Sequence, residues 1–350
     1  DVADKKTFEL LARGETMGLF QLNGGGMTAY LKKLKPTSIH DINAMVALYR
    51  PGPIQFIPLY IERKHNPRLV KYMDPALEPI LKQTYGVLVY QDDLLLIAIH
   101  IAGYSWGEAD KFRKAVGKKI PEEMAKQKDH FITGCVEHSK WPLKKAQELW
   151  NQIEPFAAYG FNKAHSASYG RVAYQTAYMK ANFPVEYMSA IMTAESGDVE
   201  KIAEIVHECE NMKIKVLPPN INESFKGFTC IDDNTIRFGL YTIKNFGSDI
   251  GDAIIDERKK NGNFKNITDF LDRIKHKNLN KKSMEALIKT GAMDEFGNRG
   301  TLLSNLENML EYNKENSKQS SDQVSLFGGL SGDSMPSFKL KDAEDVSKET

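Results

Sequence analysis

The run Lys111-Phe112-Arg113-Lys114-Ala115-Val116-Gly117-Lys118-Lys119 places five cations within nine residues. On a continuous helix Lys114 and Lys118 stand at i, i+4 and repel each other, so a bound polyanion would relieve them. Lys118 and Lys119 also precede Pro121, a residue suited to a first helical position. The free N–H groups of the helix it opens would add a second attraction for phosphate. A triphosphate is the ligand this chemistry suggests. The same cations would equally complement the negative end of a helix stopped by Gly117, and Glu122 and Glu123 oppose an anion there. Composition alone leaves both readings open.

A second stretch, Tyr159-Gly160-Phe161-Asn162-Lys163-Ala164-His165-Ser166-Ala167-Ser168-Tyr169, crowds polar, small and aromatic residues at the start of a helix expected from about Ser166 to Ala181. Ser166, Tyr169 and Ala173 share one face, and an aromatic beside small residues leaves room for a base or sugar to stack. A well-capped core helix, with Tyr169, Tyr174 and Tyr178 as packing residues, fits the same pattern. Two helix–turn–helix candidates turn at Lys244-Asn245-Phe246-Gly247, with Ser248 as the following N-cap, and at Asn278-Leu279-Asn280. Main-chain N–H groups at such a turn can grip duplex backbone without reading sequence, and Lys275, Lys277, Lys281 and Lys282 add charge around the second. Ordinary helical hairpins share these features. Further on, Gln323-Val324-Ser325-Leu326-Phe327 sets two large apolar residues in polar surroundings, a pattern that suits a pocket on a partner protein.

A catalytic centre is harder to find. No Asp-x-Asp, nucleophile elbow, Walker loop or GxGxxG occurs. Asp92 reads as the N-cap of a helix over Leu94 to Ile101, and Glu108 and Asp110 as first-turn acids. His130, Cys135 and His138 match no metal-ligand template and read as helix residues. Cys135, Cys209 and Cys230 are odd in number and widely spaced, which predicts reduced thiols.

The elements that must position these groups are mostly helices. Helical spacing runs from Lys5 to about Tyr60, and helices are expected from Ser105 to Gly117, from Pro121 through the 130s, over Leu143 to Ile153 and over Met188 to Thr193. Gly86 to Tyr90 reads as one buried strand, and Phe228 to Ile231 and Thr235 to Leu240 as two more. The fold class is mainly α with a few short strands. A boundary is placed near Gly197, giving segments 1–196 and 197–300. Residues 301–350 form a third segment whose apolar residues thin out after Asn313, which predicts a flexible linker.

The whole chain has 350 residues, 41% hydrophobic and 27% charged, with a net charge of +1, so it can bury a core but presents no uniformly basic surface. Its longest apolar run, Leu94 to Ala102, is too short to span a bilayer. No initiator Met or signal peptide precedes Asp1, and the chain is read as a piece of a longer cytosolic polypeptide.

Several blocks resemble the alpha subunits of bacterial DNA polymerase III, in the fingers region. They run in order from Thr16-Met17-Gly18-Leu19-Phe20-Gln21-Leu22 through Arg50-Pro51-Gly52-Pro53, Thr84-Tyr85-Gly86, Lys118 to Lys128, Tyr159 to Tyr169 and Leu217-Pro218-Pro219 to Gly291-Ala292-Met293-Asp294. The resemblance implies that Arg113, Lys114 and Lys118 hold the triphosphate of an incoming dNTP, with Lys114 where arginine is common. It implies that Asn162, Lys163, His165, Ser166 and Tyr169 line the nucleotide pocket. It also implies that 1–196 is a nucleotide-binding fingers core and 197–300 an outer part with helix–hairpin–helix elements on template–primer DNA. There Lys244, Asn245 (where glycine is usual), Gly247, Lys281 and Lys282 would meet the duplex. Gln323, Leu326 and Phe327 resemble the family's internal sliding-clamp motif.

The implied protein is a DNA-directed DNA polymerase of the bacterial cytoplasm, working with the clamp and other replicative holoenzyme subunits. Its Mg2+ ions are held by palm aspartates outside this chain, so the fragment alone is expected to bind no metal, contain no catalytic residue and be inactive. The alternative is a non-catalytic DNA-binding adaptor tethered to a sliding clamp, which would need the hairpins and Gln323 to Phe327 but not the two nucleotide elements.

Overall fold

A computed structural model of the chain describes residues 2–118, 121–157, 159–322 and 338–345. Among these, seventeen α-helices and one three-stranded sheet form a mainly α architecture, as the apolar spacing predicts. The chain divides into two compact units at Phe183/Pro184 rather than near Gly197. Pro184 cannot continue the preceding helix, and the helix it opens, Pro184–Ala194, packs on the strand Thr229–Asp232 and the helix Val199–Asn211.

In the first unit, the helices Gln91–His100, Trp106–Lys118, Pro121–Glu137 and Leu143–Ala157 surround an aromatic core. Phe112, Phe131 and Trp150 are fully buried, with ring centroids 5.7–6.1 Å apart. Each such side chain contributes roughly 1.5–3 kcal/mol through burial. The long helix Lys163–Asn182 lies against Ile39–Leu48 and Lys5–Arg13. Near the start of Ile39–Leu48, buried Asp41 accepts from Thr37 N–H, meets Lys64 Nζ at 3.0 Å and receives the hydroxyls of Tyr60 and Tyr85. Burial beside this carboxylate pushes the Tyr85 hydroxyl up to about 12.

Several local expectations are corrected. Residues 86–90 form no strand; Tyr90 makes only an isolated parallel bridge to Phe161. Asp92 does not cap its own helix, which begins at Gln91; Asp93 reaches back to the N–H groups of Tyr90 and Val89 instead. The helix carrying the basic cluster runs through Gly117 to Lys118 rather than stopping at the glycine.

In the second unit the strands are Lys215–Leu217, Thr229–Asp232 and Thr235–Arg237, the last lying centrally, parallel to the first and antiparallel to the second. The helices Ser248–Asn261, Ile267–Arg273, Lys281–Lys289, Arg299–Ser304 and Leu306–Asp322 share one apolar core. Arg258 is buried in it and donates to the carbonyls of Ile221 and Ser224, 2.8 Å each. The linker expected over 301–350 instead carries helices as far as Asp322, because Leu302 on Arg299–Ser304 and Leu306 and Met309 on Leu306–Asp322 are buried in this core. Residues 338–345 are docked as well, Asn305 exchanging side-chain hydrogen bonds with both main-chain groups of Lys341.

Candidate nucleotide and DNA interface

On the helix Trp106–Lys118, Ala109, Phe112 and Ala115 are buried, so Asp110, Arg113 and Lys114 emerge on the opposite side. Arg113 donates to one oxygen of Asp110 through Nη2 at 2.8 Å and Nε at 3.2 Å, and Lys114 Nζ meets the other oxygen at 2.7 Å. Lys114 and then Arg113 hold the Asp110 carboxyl below the usual carboxylate range. The repulsion expected within the cluster is thus partly answered by the chain's own acid, which aligns two cations side by side. Lys118 ends the helix; its side chain lies outside the described residues, as do Gln323, Leu326 and Phe327.

The second element is assembled around the start of Lys163–Asn182. Asn162 is its N-cap, accepting the His165 N–H at 2.8 Å. Asp92 accepts the Lys163 N–H at 2.9 Å, so two side chains satisfy donors of this first turn. Lys163 Nζ sits 5.4 Å from the centre of the Tyr90 ring. His165 lies between Phe161 and Tyr169, at 5.4 and 4.3 Å between ring centroids, and Tyr169 meets Phe20 at 5.4 Å. These rings form a partly exposed aromatic row.

Ser166 has a different place. It is fully buried and donates its hydroxyl to the carbonyl of Asn43 at 2.6 Å, so it fixes the helix rather than facing solvent. Gly170 continues that contact, since a Cβ there would lie 1.9 Å from Asn43 Oδ1. The face shared by Ser166 and Ala173 is accordingly the packed one, while Tyr169 lies at its edge.

Sequence reading missed Arg50 as part of this assembly. Its guanidinium donates to Ala47 and Tyr159 carbonyls and sits 4.7 Å over the Phe161 ring, tying the Arg50-Pro51-Gly52-Pro53 turn to the aromatic block. Gly52 has φ +98°, and a Cβ would meet the Tyr159 ring at 2.4 Å, so only glycine permits this packing. The Pro-Gly-Pro signature was the available signal. The basic cluster and the aromatic block stand on different helices with different partners: Asp110 for one, Asp92, Tyr90 and Phe161 for the other.

In the second unit, Phe246 is buried while Lys244, Asn245 and Gly247 are exposed around it. Asn245 adopts φ +65°, a left-handed conformation that asparagine tolerates. The N-cap of Ser248–Asn261 is Gly247, not Ser248, and no side chain caps it, leaving first-turn N–H groups without side-chain acceptors; Asp249 lies beside them. Asn280 caps Lys281–Lys289 in a capping box with Ser283. Lys281 pairs with Glu307 at 3.0 Å, and Lys282 is exposed.

Residues 1–139 match the finger domain of the bacterial DNA polymerase III alpha subunit. Residues 213–302 match a helix-hairpin-helix motif. The DNA polymerase III subunit alpha of Thermus aquaticus is 46% identical over 89% of this chain and 26% of its own length. The chain belongs to the family of bacterial DNA polymerase III alpha subunits. The corresponding proteins of Bacillus subtilis and Pseudomonas aeruginosa are 42% and 40% identical, each over 93% of this chain, covering 29% and 30% of those relatives. The chain therefore spans less than a third of the alpha subunits it matches. Arg113 and Lys114 lie inside the finger-domain match, Asn162 to Tyr169 beyond it, and Lys244 to Gly247 with Lys281 and Lys282 inside the hairpin match.

Among the described residues, no group of three or more His, Cys, Asp or Glu could hold a metal ion. Cys135 is a buried free thiol pushed up to about 12 by desolvation, and His130 stacks on Tyr104 at 4.6 Å. No described helix is long and apolar enough to cross a membrane.

Proposed function

We propose that this chain is the fingers segment of a replicative DNA-directed DNA polymerase, orienting the incoming dNTP and the template–primer duplex for nucleotidyl transfer. The observation that carries the reading is the pairing of Arg113 and Lys114 over Asp110 at the exposed side of a finger-domain helix. Two adjacent cations on a rigid element suit a triphosphate, whose charge grows on the leaving pyrophosphate as the primer 3′-hydroxyl attacks the alpha-phosphate in line. The row Phe161, His165, Tyr169 and Phe20 offers ring faces for a base or sugar, with Lys163 beside it. Fixing both parts in advance lowers the entropic cost of alignment.

The exposed Lys244, Asn245 and Gly247 and the uncapped turn after them would grip duplex phosphates, with Lys281 and Lys282 adding charge. Gln323, Leu326 and Phe327 would dock on a sliding clamp, placing the chain among the other holoenzyme subunits in the bacterial cytoplasm. Magnesium would be held by the rest of the polymerase, and this chain alone would not extend a primer.

A photoreactive dNTP cross-linked on primed DNA tests the central claim. Labels are expected near Arg113 to Lys118 and Asn162 to Tyr169 once the rest of the polymerase is supplied. Labelling confined to other peptides in that active complex would refute it. Purified chain that extends a primer with magnesium would refute the predicted inactivity, and Leu326→Ala with Phe327→Ala should abolish clamp binding in peptide competition.

A further inference from the structure

We infer that the first compact unit holds a binding site for a small organic anion with an apolar body, in the hollow between Arg63, Lys71 and the helix Leu143–Ala157. The cavity measures about 340 Å³. That lies at the lower end of the roughly 300–1,000 Å³ in which proteins hold small organic ligands. Its floor is apolar: Leu77, Leu81, Ile97, Leu149 and Phe156 are buried members of the unit's core, and Val87 beside them is buried too. An occupant that takes the apolar surface of this hollow out of water would stabilise the unit.

Charge decides the class of occupant. Arg63 and Lys71 line the cavity, and no Asp or Glu does. Arg63 is held in place because Nη1 donates to the carbonyls of Gly86 at 3.0 Å and Tyr85 at 3.4 Å. That anchoring leaves Nε and Nη2 as oriented donors for an anionic head, the geometry in which guanidinium binds carboxylate. Lys71 is exposed and adds a second cation at the edge. A triphosphate fits poorly, since two cations over an apolar floor supply too few donors for three phosphates. A single carboxylate on an aliphatic or aromatic body matches both parts. None of the lining residues belongs to the basic cluster or to the Asn162 to Tyr169 block.

The test is calorimetric titration of the full 350-residue chain with decanoate, using decanol and decylammonium as controls of matched length. Saturable one-to-one binding of decanoate is expected, clearly tighter than that of decylammonium. Arg63→Gln should weaken decanoate by about tenfold or more, as loss of a charged hydrogen bond does, while decanol is unaffected. Because Arg63 also ties two carbonyls, its variant can unfold the unit; exposed Lys71→Glu, which touches no such contact, should still weaken decanoate several-fold. Leu88→Trp, which fills the hollow, should abolish binding in a folded chain. Absence of saturable binding, equal affinity for decanoate and decylammonium, or decanoate affinity unmoved by Lys71→Glu would each overturn the assignment.

Discussion

Asp92, in the first turn of one helix, accepts the backbone N–H of Lys163, the first residue of another, at 2.9 Å. A carboxylate that serves a neighbouring helix across 71 positions of sequence fixes where the Asn162 to Tyr169 block begins. Asp92→Ala should therefore cost about 1 kcal/mol, within the range for a lost cap. It should also weaken dNTP cross-linking at the block while leaving labels near Arg113. Denaturant unfolding and peptide mapping check the two halves separately.

The contact of Ser166 and Gly170 with Asn43 predicts graded losses. Ser166→Ala removes one buried hydrogen bond and should cost about 1–2 kcal/mol, since it leaves the Asn43 carbonyl without that donor. Gly170→Ala places a methyl group against Asn43 Oδ1 and should cost about 1–3 kcal/mol through overpacking. Thermal unfolding of the two variants ranks them; a Gly170→Ala chain as stable as the parent would contradict the packing described.

For the basic cluster, the sign of the change at Asp110 is informative. Arg113→Ala should weaken triphosphate binding by roughly tenfold to a hundredfold, the range of a charged hydrogen bond. Asp110→Asn keeps an acceptor for the guanidinium but removes a negative charge from the site, so it should tighten binding, and most at low salt. Nucleotide affinity measured at two ionic strengths in the reassembled polymerase decides this.

Asp93 supplies a pH dependence. Burial pushes its carboxyl up to about 6, against the opposing pull of the Tyr90 and Val89 N–H groups and of Lys163. The folded chain thus holds this proton more tightly than the unfolded chain. Stability contributed by Asp93 is fully present below about pH 4 and declines as pH rises through 6, by up to about 3 kcal/mol. Asp93→Asn should flatten that segment of the stability profile and leave the chain no less stable at pH 7. Denaturant midpoints collected from pH 4 to 8 would show it.

The hairpin turn offers a backbone test. Asn245 at φ +65° occupies a region where glycine is unstrained. Asn245→Gly should change stability by less than about 1 kcal/mol and preserve duplex binding, because relief of strain is offset by greater freedom of the unfolded chain. Asn245→Val should cost about 1–2 kcal/mol and weaken duplex DNA binding together with it. Loss of binding in a stable Asn245→Gly chain would point instead to a direct role for the amide side chain.

What the sequence determined by itself is local and periodic. Apolar spacing set the helices around Arg113 and after Asn162, the family blocks carried the finger and hairpin regions, and the strand pair near Thr229 and Thr235 was legible within a few residues. Capping chemistry was legible as chemistry but not as pairing. Asp92 read as the cap of its own helix, yet the N–H it serves belongs to Lys163, far along the chain, while Asp93 reaches back to the nearby Tyr90 and Val89. Gly86 to Tyr90 has strand composition, but a strand needs a partner strand, and among the described residues it makes just the isolated bridge from Tyr90 to Phe161. The tail read as linker because apolar residues thin out after Asn313; yet Asn313 itself is buried and donates to the carbonyls of Leu271 and Ile274, partners that only the fold of the second unit brings to it. Side-chain type and period are properties of neighbouring residues, whereas hydrogen-bond partners and burial are set by which distant segments meet. That is why Ser166 read as a pocket residue and only the packing on Asn43 made it a buried anchor.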